Sequence, residues 1–330
     1  MKFNPIAFFV LTLGAFCPLL AQDPTYLFWA DSTRDGIFRM NLDGTGAQQI
    51  ISSSRTSALT TDGTYFYWQD GGTTSIGRAP VAGGAAEVFV DPNNVLPAGP
   101  LLDGRYAPGG LQVHGSKLYW TDVFQDGLYS IGLDGSNPME LLNFGSSLPP
   151  SVGSDYSASS LVQAGSYFYW SDGNAESVFR SDLDGSNPTA LLSGLRFDAV
   201  AVTDSDLYAV SALQGIYKAN LDGSDMTQII AQSEFGGGPL LREIAVHGSQ
   251  LYVTVDGVSG SSVEGIFTSD LDGENLSQLI DLHTEFPSSH GNGPRGMVIM
   301  SVSAVPEPST YAIFVGLAAL VGALIRKRVR

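Results

Sequence analysis

Apolar and polar positions alternate in short runs along most of the chain, with a period of two rather than 3.6. The clearest runs are aromatic and end in Asp: LFWAD (Leu27–Asp31), FYWQD (Phe66–Asp70), LYWTD (Leu118–Asp122) and FYWSD (Phe168–Asp172). Thirteen residues after each Trp stand Leu42-Asp43-Gly44, the degenerate Val81-Ala82-Gly83, Leu133-Asp134-Gly135 and Leu183-Asp184-Gly185. Two further copies lack the indole: LYAVS (207–211) runs to Leu221-Asp222-Gly223, and LYVTVDG (251–257) runs, after an insertion, to Leu271-Asp272-Gly273. The Leu-Asp-Gly positions start 38 to 52 residues apart.

Each repeat parses into four short strands. A first strand (LQVHG, LVQAG, IAVHG) leads into the aromatic second strand. A third, such as GLYSIGL at 127–133, ends at an Asp-Gly turn, and a fourth follows, as at 140–142 or 228–230. Gly in those turns permits positive φ, while Asp and Asn bond their own backbone. The constant thirteen-residue spacing is one strand, one reversal and a second strand, which holds register. Apolar residues on both faces of the second strand predict a sheet covered on each side. The fold class is therefore all-β: a six-bladed β-propeller of four-stranded antiparallel blades. The first repeat begins at its second strand, and a spare strand, 296–303 (GMVIMSVS), follows the last. The spare strand completes the first blade and closes the ring, removing an open edge.

The aromatic-Trp-x-Asp pattern resembles the YWTD propeller of LDL-receptor class B repeats over about residues 23–304. The resemblance implies six blades, with Trp29, Trp68, Trp120 and Trp170 packed between blades. It also implies that Asp31, Asp70, Asp122 and Asp172 support hydrogen bonds between blades.

Both ends read as addresses. Residues 1–22 have a basic start, a short apolar run and a small residue before a cut, as in a signal peptide; the one Cys, Cys17, lies inside it. Residues 305–330 order Pro306-Glu307-Pro308, an uncharged stretch over 309–325 and a basic tail. That order resembles the PEP-CTERM sorting signal of Gram-negative bacteria. The resemblance implies transient inner-membrane anchoring through 309–325, processing by an exosortase-type enzyme, and release or attachment at the cell surface, in the company of exopolysaccharide. The net charge of −17 argues against a nucleic-acid partner.

Antiparallel strands put the turns between first and second strands, and between third and fourth, on one face, where they are short. The turns between second and third strands and the links between blades share the other. Insertions collect there, at 91–109, 143–159, 232–241, 256–264 and 281–294. They carry Arg105, Tyr106, Phe144, Asp155, Tyr156, Glu234, Phe235, His283, Glu285, Phe286 and His290 as candidate binding residues. The partner expected there is a surface protein or an extracellular polysaccharide; the competing reading is that the loops only cover the channel.

Signals for chemistry are sparse. His114 and His247 occupy matching Val-His-Gly-Ser turns, which repetition explains. No His-Glu-x-x-His, Gly-x-Ser-x-Gly or phosphate loop occurs. The Asp-x-Asp-Gly stretches at 182–185 and 270–273 lack the later Glu of a calcium loop, so calcium has no motif behind it and no cofactor is expected. The sequence thus points to a non-enzymatic binding or matrix protein, with a metal-dependent propeller hydrolase or lactonase as the alternative.

Overall fold

The computed structural model describes residues 23–97, 105–148, 156–257, 263–287 and 293–302. Residues 25–300 form one compact unit of six four-stranded antiparallel sheets. From axis to rim, blade one is β24 (Pro294–Ser301), β1 (Thr25–Asp31), β2 (Gly36–Asn41) and β3 (Gln48–Ser52). Blade two is β4 (Thr56–Thr61), β5 (Tyr65–Asp70), β6 (Ser75–Pro80) and β7 (Glu87–Val90). Blade three is β8 (Pro108–His114), β9 (Lys117–Asp122), β10 (Gly127–Gly132) and β11 (Met139–Asn143). Blade four is β12 (Ala158–Ala164), β13 (Tyr167–Asp172), β14 (Ser177–Asp182) and β15 (Thr189–Ser193). Blade five is β16 (Ala199–Val202), β17 (Asp206–Ser211), β18 (Gly215–Asn220) and β19 (Thr227–Ala231). Blade six is β20 (Leu240–His247), β21 (Gln250–Asp256), β22 (Gly265–Asp270) and β23 (Ser277–Asp281).

The C-terminal strand does complete the first blade, beginning two residues earlier than the sequence indicated. The two terminal segments, 1–22 and 303–330, with their expected leader and sorting signal, lie outside the described residues. Among the described residues no helix is long and apolar enough to cross a membrane.

All four indoles are fully buried, and Trp29, Trp120 and Trp170 each sit in a seam between blades. Trp29 packs with Tyr252, Ile266 and Ile280 of blade six. Trp120 packs with Tyr67, Ile76 and Val90 of blade two, and Trp170 with Leu128 and Leu142 of blade three. Burying each indole contributes on the order of 4–6 kcal/mol. Opposite each Trp on the third strand stands a partner in register: Phe38, Gly77, Tyr129 and Phe179. Phe38, Tyr129 and Phe179 stack on their indoles at 5.4–5.6 Å. Gly77 leaves room instead; a Cβ there would lie 2.6 Å from the Trp68 ring.

Blades five and six keep the third-strand aromatic but not the indole: Ala209 faces Tyr217, and Val253 faces Phe267. Aromatics from the links pack on those third-strand rings. Phe197, entering blade five, meets Tyr217 edge-on at 6.1 Å, and Phe235 meets Phe267 at 5.2 Å.

The Leu-Asp-Gly turns do more than reverse the chain. The Cα atoms of Gly44, Gly185, Gly223 and Gly273 press on the outer strand of the preceding blade. A Cβ at these positions would fall 2.2–2.6 Å from the carbonyl oxygens of Leu279, Leu141, Leu191 and Ile229. Only glycine combines the positive φ with that approach. In blades one, four, five and six the recurring spacing therefore fixes where the blade touches the one before it.

Candidate functional site

Two aspartates of the aromatic motif, Asp122 and Asp172, fasten their blade's link to its second strand. Asp122 accepts backbone hydrogen bonds from Ala107 in the incoming link (2.9 and 3.1 Å) and from Phe124 and Gln125 (3.0 Å each) in the following turn. Asp172 does the same with Ser157, Asn174 and Ala175. Burial pushes both carboxyls above their ordinary range, against the pull of the three donors. Asp70 makes a local bond, from Gly72 N–H. A carboxylate of the motif reaches another blade through Arg34: it donates to Asp31 (2.8 Å), to Glu264 of blade six (2.7 Å), and to the carbonyls of Leu282 and Phe286. Arg34 thereby pins the seam between the first and last blades.

The loop candidates divide by burial. Tyr106, Phe144, Tyr156 and Phe235 are buried, and Phe286 is half-buried. Phe144 stacks on Trp170 at 5.4 Å, and Tyr156 lies against Phe144. Tyr106 meets Tyr129 edge-on and donates its hydroxyl to the Pro97 carbonyl. Phe286 packs on Phe38 and Trp29. These side chains belong to the seams rather than to a ligand surface. They are set there by one-turn elements that follow outer strands: α1 (Pro92–Val95), α2 (Phe144–Ser147), α3 (Leu282–Glu285) and a 3-10 turn at Gln232–Phe235. Side-chain caps from Asp91, Asn143 and Asp281 hold the three helical turns. Arg105, Glu234, His283 and Glu285 are exposed. Asp155 and His290 lie outside the described residues.

The site that sequence reasoning missed is on the axis. Two positions before the equivalent apolar residue of each inner strand (Leu59, Leu111, Leu161, Val200, Ile244, Met297) stand Ser57, Gly109, Ser159, Asp198, Arg242 and Arg295. All six line one cavity of about 290 Å³ at the channel mouth, on the face of the links. The mouth is polar and uncharged along blades two to four, and charged along blades five, six and one. Arg196 joins the charged arc. Arg242 is aimed there by a bulge, because β20 skips it between Leu241 and Glu243 in its pairing with β21. Its guanidinium donates twice to Asp256 (2.8 and 3.0 Å), whose other oxygen takes the Gly293 N–H. Arg196 pairs with Asp198 at 3.2 Å. Asp198 also accepts from Ala212 N–H. In blade five the acid has moved from the second strand to the link, and the bridge runs the other way.

One residue deeper, the ring is Ala58, Gly110, Ser160, Ala199, Glu243 and Gly296. Small residues let inner strands approach: a Cβ on Gly110 would sit 2.4 Å from Leu161 N, and one on Gly296 2.4 Å from Leu59 N. Glu243 is the exception. It stands between the mouth and a second cavity of about 310 Å³ along the axis. Burial raises its carboxyl to about 8, with the Ile244 N–H and Ser160 hydrogen bonds opposing, so it is neutral at pH 7.

Among the described residues, no three His, Cys, Asp or Glu side chains converge to hold a metal. Asp184 spends its carboxylate on Ser186, and Asp182 on Asn187 and Ser186, as turn chemistry requires.

No family model matches the chain, and no curated protein matches it. Among solved structures, a chain of the nidogen–laminin complex aligns with a TM-score of 0.63 at 19% identity. The alignment covers 83% of this chain and 98% of that one. At that identity the likeness establishes the fold, a six-bladed propeller of the kind the aromatic-Trp-x-Asp repeats resemble.

Proposed function

We propose that the chain is an exported, surface-sorted propeller that binds a surface protein or an extracellular polysaccharide through its link face. It acts without catalysis, as a binding or matrix component. The observation that supports this reading is the asymmetry between the two faces. The face of the Asp-Gly reversals is made of short turns whose carboxylates cap their own backbone. The link face holds the insertions and opens the cavity with the charged arc. The solved neighbour comes from a complex of nidogen with laminin, which is consistent with a propeller used as a docking surface.

The test is a binding screen of the full-length chain against glycans and surface proteins, with and without calcium. A saturable ligand is the expected result. Hydrolysis of small esters or lactones with no ligand would overturn the reading in favour of the metal-dependent enzyme. Sorting is tested separately by the mass of mature surface material. Loss of Arg326–Arg330 is expected, and persistence of that tail in the membrane overturns the processing step.

A further inference from the structure

The mouth of the channel has two dissimilar arcs. One presents Arg242, Arg295 and Arg196 around Asp198 and Asp256. The other presents Ser57, Gln69 and Ser159 with the backbone of Gly109 and Gly173. A ligand that satisfies both must carry a single anionic group at one end and neutral hydroxyls at the other. With three guanidinium groups against two carboxylates, and Glu243 uncharged, the mouth carries a net positive charge in a protein whose overall charge is −17. That overall field disfavours a polyanion, while the local arc favours one carboxylate. The cavity of about 290 Å³ has the scale of one sugar ring with its substituents.

From this arrangement we propose that the channel mouth is a subsite for a sugar acid, such as a uronate unit. Its carboxylate lies between Arg242 and Arg295, and its hydroxyls face the serine and glutamine arc. The proposal rests on the binding role given above and names the ligand class for that face. Three details support it. Arg242 sits at the register shift of β20 and lines the mouth. Arg242 and Arg295 are close enough that the charge of one, after burial, lowers the pKa of the other, a repulsion that a bound anion relieves. Glu243 lies under the pair as a neutral acid that can donate to the bound carboxylate.

The charged groups that line the mouth with Glu243 are Arg242 on β20, Arg295 on β24, and Arg196 and Asp198 on the link to β16; Asp256 on β21 pairs with Arg242. Ionisation of Glu243 as pH rises through about 8 cancels the net positive charge and sets a carboxylate against the ligand. Affinity therefore falls from pH 7 to pH 9.

The experiment titrates the full-length chain with glucuronate, glucose and acetate by calorimetry or chemical-shift mapping. Glucuronate is expected to bind more tightly than either fragment ligand. Arg295→Gln should weaken it by about tenfold or more, with Arg295→Lys restoring part of the loss. Glu243→Gln should retain binding at pH 7 and abolish the fall toward pH 9. Equal binding of all three ligands, or of glucuronate to Arg295→Gln with an unchanged melting temperature, overturns the proposal. A glycan or protein found in the screen that ignores both free glucuronate and Arg295→Gln keeps the binding role and removes this subsite.

Discussion

Blades three and four and blades five and six solve the same problem with different materials. In blade four the wedge is one indole between Phe144 and Phe179, at 5.4 and 5.6 Å. In blades five and six the second strand contributes only Ala209 and Val253, and the aromatic packing is Phe197 on Tyr217 and Phe235 on Phe267. The carboxylates follow the same division. Asp122 and Asp172 hold links from the second strand, whereas in blade five Asp198 sits on the link and holds the turn. The difference teaches that the motif is one way to fill a seam, not a requirement. Charge at the channel mouth comes from blades five and six, which lack the indole, and from blade one, which keeps Trp29.

The largest test of this contrast lies at the seams. Trp170→Ala should lower stability by about 3–5 kcal/mol, read by thermal or denaturant unfolding, because the stacked rings cannot collapse together. Arg34→Ala should cost a similar ~3–5 kcal/mol, since it strands Asp31 and Glu264 as buried charges. Loss of less than about 1 kcal/mol in either would mean that the seams relax freely.

Adding an indole where it was lost probes the other half. Ala209→Trp should destabilise by about 1–3 kcal/mol, because Phe197 and Tyr217 already occupy the seam. A neutral or stabilising outcome would show that blade five is underpacked.

A pH measurement separates the mouth from the seams. Glu243 titrates near 8 in the fold against an ordinary value of 4.5, so the folded state favours its protonated form. That contribution is complete below about pH 4.5 and is lost as pH rises to about 8, a change on the order of a few kcal/mol. Glu243→Gln should flatten the stability profile across this window. An unchanged profile would place the carboxyl in contact with water.

The smallest effect is expected at the Asp-Gly turns. Gly223→Ala, at φ 84° and pressed on Leu191, should cost about 1–2 kcal/mol. Gly135→Ala, which presses on nothing, should cost less. Equal costs would mean that positive φ alone, not contact between blades, explains the glycine.

The blade count, the strand order and the closing strand were all legible in the chain, because period-two runs at fixed spacing report local register directly. The indole seams were legible through the resemblance that Trp29, Trp68, Trp120 and Trp170 carry. The fate of Tyr106, Phe144, Tyr156 and Phe235 was not. Aromatics in long loops read as surface, yet each is folded back by a one-turn element or link whose cap is a single Asp, Asn or Glu. Arg242, Arg295 and Asp198 escaped for another reason. They come from three repeats, and only the ring brings them together. The signal was present at the second position before each inner-strand apolar residue, where Ser, Gly and Ser give way to Asp, Arg and Arg, but a column shows only after the strands are aligned.

The pairing of β24 with β1 sets a timetable. As the polypeptide is synthesised, the opening strand of the first blade appears almost at once, and its inner neighbour arrives only near the end. At 5–20 residues per second the interval is roughly 15–50 s. During that time the Trp29 strand has a bare inner edge and an uncovered aromatic face. Whatever escorts the nascent chain must shield that one segment longest, and slowing or speeding elongation should change yield through aggregation at Leu27–Asp31 before it changes anything else.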